Sequence, residues 1–143
     1  MLQEKKQSKT VLAFGTFDLL HPGHKFFLKQ CRKKGDKLVV LVARDKTVKR
    51  LKNKKPVHSE IERMNQIKNL EIADLVLLGK HDYKKRYDIL EMIRPDIICL
   101  GYDQKFFVKN LSKVLKKIRL NCKIVRIKPF KPEKYKSSII RNT

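Results

Sequence analysis

Apolar runs and polar punctuation alternate along this chain with a regularity that predicts its elements. Val11–Phe14, Lys37–Ala43, Asp74–Gly79, Asp96–Gly101 and Cys122–Ile127 read as five short, mostly buried strands. Between them the apolar residues fall at helical spacing. Lys25–Cys31 follows the first strand, and Lys46–Leu51 follows the second with Asp45 as a candidate cap. Ser59 with Glu62 forms a capping box for a helix whose apolar positions are Ile61, Met64, Ile67 and Leu70. Asp88–Ile93 stops before Pro95, and Leu111–Ile118 precedes the last strand. Strands alternating with helices imply a single α/β domain, a five-stranded parallel sheet with helices on both faces. Residues 10–143 are assigned to that domain, and residues 1–9 to a flexible basic tail. Ligands of such sheets bind beyond the C-terminal strand ends. The polar clusters Gly15–His24, Arg44-Asp45, Gly101–Gln104 and the segment after Ile127 all fall there.

Composition narrows the setting. The 143 residues are 41% hydrophobic and 35% charged, as a globular domain with a very polar surface should be. No apolar run approaches the roughly 18 residues of a membrane span, and the N-terminal segment has no hydrophobic signal core. Cys31, Cys99 and Cys122 are widely spaced and odd in number, the pattern of buried free thiols in a reducing cytoplasm. Thirty-six basic against 14 acidic residues leave a net charge of +22. That surface attracts polyanions, yet no GXXG loop, RNP-like strand or zinc finger specifies a nucleic-acid reader. A general lysine bias together with a polyphosphate site accounts for the charge equally well.

The densest chemistry is Gly15-Thr16-Phe17-Asp18-Leu19-Leu20-His21-Pro22-Gly23-His24, placed where a strand hands over to a helix. Free backbone N–H groups and the helix dipole make such a junction an anion site. Gly23 lets backbone approach a phosphate, and Pro22 suits a first helical turn. His21 and His24 can donate to phosphate oxygens as charge builds up in a transfer reaction. Thr16 and Phe17 supply backbone near the phosphates, and Asp18 either fixes the turn or polarises a ligand. No third ligand stands near the histidines at zinc spacing, so no metal-binding residue is assigned. Gly101 permits a sharp exit from its strand, and Asp103 and Gln104 offer acceptors and donors for a nucleobase or ribose.

This ten-residue string resembles the signature of the cytidylyltransferase-like nucleotidyltransferases, which implies a Rossmann-like fold and an HxGH phosphate site. Lys52-Asn53-Lys54-Lys55-Pro56, followed by Glu60 and Arg63, is similar to the family's lysine loop and ExxR region. The resemblance implies that Lys52 and Lys54 hold the acceptor phosphate and the transferred group, with Arg63 reaching a phosphate. An ion pair of Arg63 with Glu60 or Glu62 on the helix surface is the plain alternative. Ser137-Ser138-Ile139-Ile140 resembles the family's second phosphate motif in degraded form, Lys136 and Ile139 replacing its usual residues. An N-cap is the competing reading. The segments ARD at 43–45, KKP at 54–56 and GYDQ at 101–104 look most like archaeal-type FAD synthase. That likeness implies transfer of AMP from ATP to FMN, with Mg²⁺ bound through the triphosphate. Glycerol-3-phosphate cytidylyltransferase and a non-catalytic RNA-binding relative are the alternatives. Related transferases are often dimers, which leaves a homodimer open, since no feature of the chain itself encodes one.

Overall fold

The computed structural model describes residues 8–104 and 110–129. Five strands, β1 (Thr10–Gly15), β2 (Lys37–Val42), β3 (Leu75–Leu78), β4 (Ile97–Gly101) and β5 (Lys123–Ile127), form one sheet. Its order is β3-β2-β1-β4-β5 and every pairing is parallel. The chain therefore builds outward from β1 to one side and then returns to build the other. β1 and β4 flank the switch point, where crevices for ligands open. The Lys9 carbonyl accepts from the amides of Asp36 and Lys37, and the Lys9 amide donates to the Asp36 carboxylate, which ties the residue before β1 to the start of β2.

Side chains alternate between two cores because strand neighbours point to opposite faces. Val11, Ala13, Val40, Val42 and Cys99 lie on one face, against Leu28 and Cys31 of α1 (Pro22–Arg32) and Ile67 of α3 (Glu60–Asn69). Leu12, Phe14, Val39, Leu41, Ile98 and Leu100 lie on the other, against α4 (Asp88–Ile93) and α5 (Leu111–Lys117). The helix α2 (Asp45–Lys52) follows β2 directly and buries Val48. No helix among the described residues is long and apolar enough to cross a membrane.

Two helices differ from the pattern read off the sequence. Asp45 does not cap α2 but is its first residue, after an Arg44 N-cap that makes no side-chain capping bond. In α3 the charged Arg63 is fully buried and the apolar Ile61 is 50% exposed. The helix is turned so that Arg63, Met64, Ile67 and Leu70 face the sheet, an i, i+4 stripe that leaves Ile61 outside. A short 3₁₀ turn at Tyr83–Lys85 had no sequence signal of apolar periodicity.

Candidate active site

The two motif histidines cap their own helix. His21 is the N-cap of α1 with extended backbone (φ −140°, ψ 170°), and Pro22 takes the first helical position. The Gly23 amide donates to His21 Nδ1 at 3.1 Å, and the His21 amide donates to His24 Nδ1 at 3.3 Å. The His24 amide donates to the His21 carbonyl at 3.0 Å. The expectation of free amides at this helix start is thus corrected, since the first turn satisfies them internally. What the arrangement offers a phosphate is instead the imidazole pair. Each Nδ1 is an acceptor, so in the neutral rings each Nε2 carries the proton and is a donor.

The rings stack with centroids 3.8 Å apart and an interplanar angle of 27°. Burial pushes both pKa values down. His24 is lowered to about 3, by burial first and then by His21 and the Lys52 ammonium, with Asp18 pulling the other way. Both histidines are therefore neutral donors near pH 7 before any ligand arrives. The influence of Lys52, at the end of α2, puts its charge beside the histidine pair. Lys54 and Lys55 are exposed on the loop beyond it.

Between β1 and α1 the loop is held in an unusual shape. Phe17 (φ 54°) and Leu19 (φ 53°) are left-handed, a conformation that costs bulky residues about 1–3 kcal/mol and needs support from its surroundings. Phe17 is buried, with its ring centroid 5.7 Å from that of His24 in an edge-to-face arrangement. Gly15 makes room for it: a Cβ there would come within 3.0 Å of the Phe17 ring. Asp18, 7% exposed, accepts from the amides of Leu19 (3.1 Å), His58 (3.0 Å) and Val57 (2.7 Å). Asp18 thus fixes the turn and ties it to the far end of the lysine loop. Replacing Asp18 with alanine removes the acceptor of three amides in segments that are only partly buried, so the variant should lose about 1–2 kcal/mol of stability. Urea unfolding checks this; an unchanged midpoint would mean that the two loops are not joined through this carboxylate.

Arg63 lies beneath these loops and not at their surface. Its guanidinium donates to the Thr16 carbonyl (2.7 Å), the His58 carbonyl (3.1 Å) and Asp45 Oδ1 (2.7 Å). The pairing with Glu60 or Glu62 does not form, because Glu60 is engaged by Arg44 at 2.7 Å and by the Asp45 amide at 3.0 Å. Burial would raise the Glu60 carboxyl, but the Asp45 amide and the Arg44 guanidinium outweigh it and hold it below its ordinary value. Two crossed ion pairs, Arg44–Glu60 and Asp45–Arg63, therefore lock the start of α2 to the start of α3. Their roles could have been suspected from four charged residues at the starts of α2 and α3, but their crossed partnership required the fold.

On the other side of β1, Gln104 donates to the Phe14 carbonyl (2.6 Å) and accepts from the Gly101 amide (2.7 Å). Its amide group joins the ends of β1 and β4, a role not expected from the sequence. Asp103 is exposed at the same turn. Gly101 has no positive φ, and a Cβ there would make only ordinary contacts, so the exit from β4 does not require glycine. Ser137 and Ser138 lie outside the described residues.

The pattern of an HxGH turn at the switch point of a parallel sheet has clear relatives. The Cytidylyltransferase-like family model matches residues 12–143. The FAD synthase of Aciduliprofundum boonei is 48% identical over 120 residues, covering 84% of this chain and 78% of that protein. The FAD synthase of Thermococcus sibiricus is 41% identical over 139 residues, covering 97% and 90%. Among solved structures, the lipopolysaccharide core biosynthesis protein from Thermoplasma volcanium GSS1 superposes with a TM-score of 0.76 at 42% identity, over 87% of this chain and 99% of that one. The chain belongs to the cytidylyltransferase-like family, and within it to the group that contains the archaeal FAD synthases.

Proposed function

We propose that the chain transfers AMP from ATP to the phosphate of FMN, giving FAD and pyrophosphate. The observation that carries this reading is the stacked pair of neutral histidines at the switch point, supported by the FAD synthase relatives. An oxygen of the FMN phosphate attacks the α-phosphorus of ATP in line. The bond from that phosphorus to the bridging oxygen breaks, and pyrophosphate leaves with the electron pair. No protein nucleophile is needed, so catalysis rests on position and on charge stabilisation. His21 and His24 donate Nε2–H to the oxygens that gain charge. Lys52 at the end of α2, with Lys54 on the loop after it, draws the acceptor phosphate toward them, as point charges on flexible side chains can. The backbone of Gly15, Thr16, Phe17 and Gly23 faces the nucleotide, Asp103 meets its base or ribose, and Ser137 and Ser138 hold the outer phosphates.

Among the described residues no group of three or more His, Cys, Asp or Glu could hold a metal ion alone. A divalent ion, Mg²⁺ in our reading, would bind through triphosphate oxygens and neutralise part of their charge, since Mg²⁺ prefers substrate phosphates and water to an all-protein cage. The lysine excess serves the attraction of these polyphosphate substrates rather than a nucleic-acid partner. Three free cysteines, two of them buried, agree with a cytoplasmic location.

Pyrophosphate release with Mg²⁺, crossing ATP and CTP against FMN and glycerol 3-phosphate, tests the reading. Turnover is expected with ATP and FMN. Turnover only with CTP and glycerol 3-phosphate would keep the mechanism and overturn the substrates, and silence in all four combinations would overturn both.

A further inference from the structure

A narrow cleft opens beside the histidine motif, on the β2–β3 side of β1. Phe14, Gly15, Leu41 and Ala43 form its inner end, Thr47 of α2 one wall, and Tyr83 and Arg86 its outer end beyond β3. Its lining is mostly apolar but includes the cations Arg44 and Lys80, and its volume of about 50 Å³ has room for the edge of a flat ring and not for the whole of one. Gly15 belongs both to the cleft and to the histidine loop, so a ligand whose phosphate lies at the histidines can extend directly into it.

Arg86 is the unusual member of that lining. Its guanidinium lies over the Tyr83 ring at 4.1 Å and the Tyr87 ring at 4.7 Å, and it donates to the Tyr83 carbonyl at 3.1 Å. Arg50 covers Tyr83 as well, at 4.0 Å. Among the described residues Arg86 has no carboxylate partner, and its Nε is a buried donor without an acceptor. A cation fixed by aromatic rings, half removed from water and lacking a counter-charge, is costly to keep unless a ligand completes its hydrogen bonds. The remaining N–H groups of its fork suit carbonyl oxygens set on the rim of a flat ring.

We propose that this cleft takes the carbonyl edge of the isoalloxazine ring of FMN, and that Arg86 reads that edge. The proposal rests on FMN as the acceptor and adds the place and the residue by which the ring is recognised. FMN then lies across the ends of β1 to β3, its phosphate at the lysine loop and the edge of its ring at Tyr83 and Arg86. ATP occupies the opposite side of the switch point.

The test measures affinities of wild type, Arg86→Leu and Thr47→Trp for three probes besides FMN. Lumiflavin carries the ring without chain or phosphate, ribitol 5-phosphate carries chain and phosphate without the ring, and a non-hydrolysable ATP analogue reports the nucleotide side. Arg86→Leu should weaken FMN and lumiflavin about 10- to 100-fold and leave ribitol 5-phosphate and the ATP analogue unchanged. Thr47→Trp fills the cleft from α2 without altering the Tyr83–Arg86 stack, and should give the same selective loss. It carries the test if Arg86→Leu does not fold. Equal lumiflavin affinity in the wild type and a folded variant would overturn the ring site. So would a loss of ribitol 5-phosphate in parallel, which would assign Arg86 to the phosphate. Failure of the wild type to form FAD at all would strike the functional reading itself, a result distinct from FAD formation with unaltered ring affinity.

Discussion

His24→Ala should lower kcat with ATP and FMN about 10²- to 10³-fold, the range seen when one preorganised donor to a developing oxyanion is removed. The ring is fixed on three sides before substrate arrives: the His21 amide donates to its Nδ1, the His21 ring stacks on it, and the Phe17 ring meets it edge-on. Little reorganisation remains for the moment of transfer. The substitution removes one capping bond from α1, so the fold should lose only about 1 kcal/mol. Steady-state kinetics with a parallel thermal melt separates these effects. Undiminished turnover in a folded variant would end the phosphate-donor reading.

The same residue has a signature in stability. Folded His24 has a pKa of about 3 against an ordinary 6.5. As pH falls below 6.5 the unfolded chain takes up a proton that the folded chain refuses until about pH 3. Unfolding therefore gains protons across that window, and stability declines toward acid by at most about 1.4 kcal/mol per pH unit. His24→Ala removes this contribution and should flatten the acid limb of the free protein. Triphosphate binding supplies the negative charge that raises the pKa again, so the ligand should protect the wild type most at low pH.

Much of this site was legible because its information is local. A strand-length apolar run, a glycine, two histidines and a proline at the first helical position predict the strand–turn–helix junction without knowledge of the rest of the chain. The five strands were legible for the same reason, each a short apolar run, and their parallel direction followed from the helices between them, whereas the order β3-β2-β1-β4-β5 came from the fold. What stayed hidden was pairing over distance. Glu60 and Arg63 look like an ordinary helix-surface pair three residues apart, and only the return of α3 against β2 shows that each belongs to a residue of Arg44-Asp45. Ile61 likewise reads as core by period, yet the helix rotates to bury a guanidinium that has three oxygens to reach. Gln104 reads as a base-recognition group because its side chain is polar and follows a strand, but two backbone groups on neighbouring strands claim it.

Arg63→Met should be the most damaging single change to the folded state, at about 3–5 kcal/mol. The side chain is 0% exposed, so no water can replace it at the carbonyls of Thr16 and His58. Asp45 is 39% exposed and can turn to solvent when its partner is lost, which places most of the cost on the two carbonyls. Asp45→Asn keeps an acceptor for the guanidinium but takes the carboxylate from a fully buried charge, so it should lose about 1–3 kcal/mol, less than Arg63→Met, and the difference between these variants, read from urea unfolding, locates the energy. Arg63→Lys keeps the charge, but a single ammonium cannot span three acceptors set for a planar fork, so it should recover only part of the loss. Activity separates support from direct contact. A phosphate ligand would show a raised KM for ATP at unchanged stability. A group that holds the left-handed Phe17 turn from below should instead lower stability and kcat together, because the histidine loop shifts and small displacements of positioned groups cost rate steeply. If Arg63→Met melts like wild type and alters only KM, the guanidinium touches substrate and the buried arrangement is not the working one.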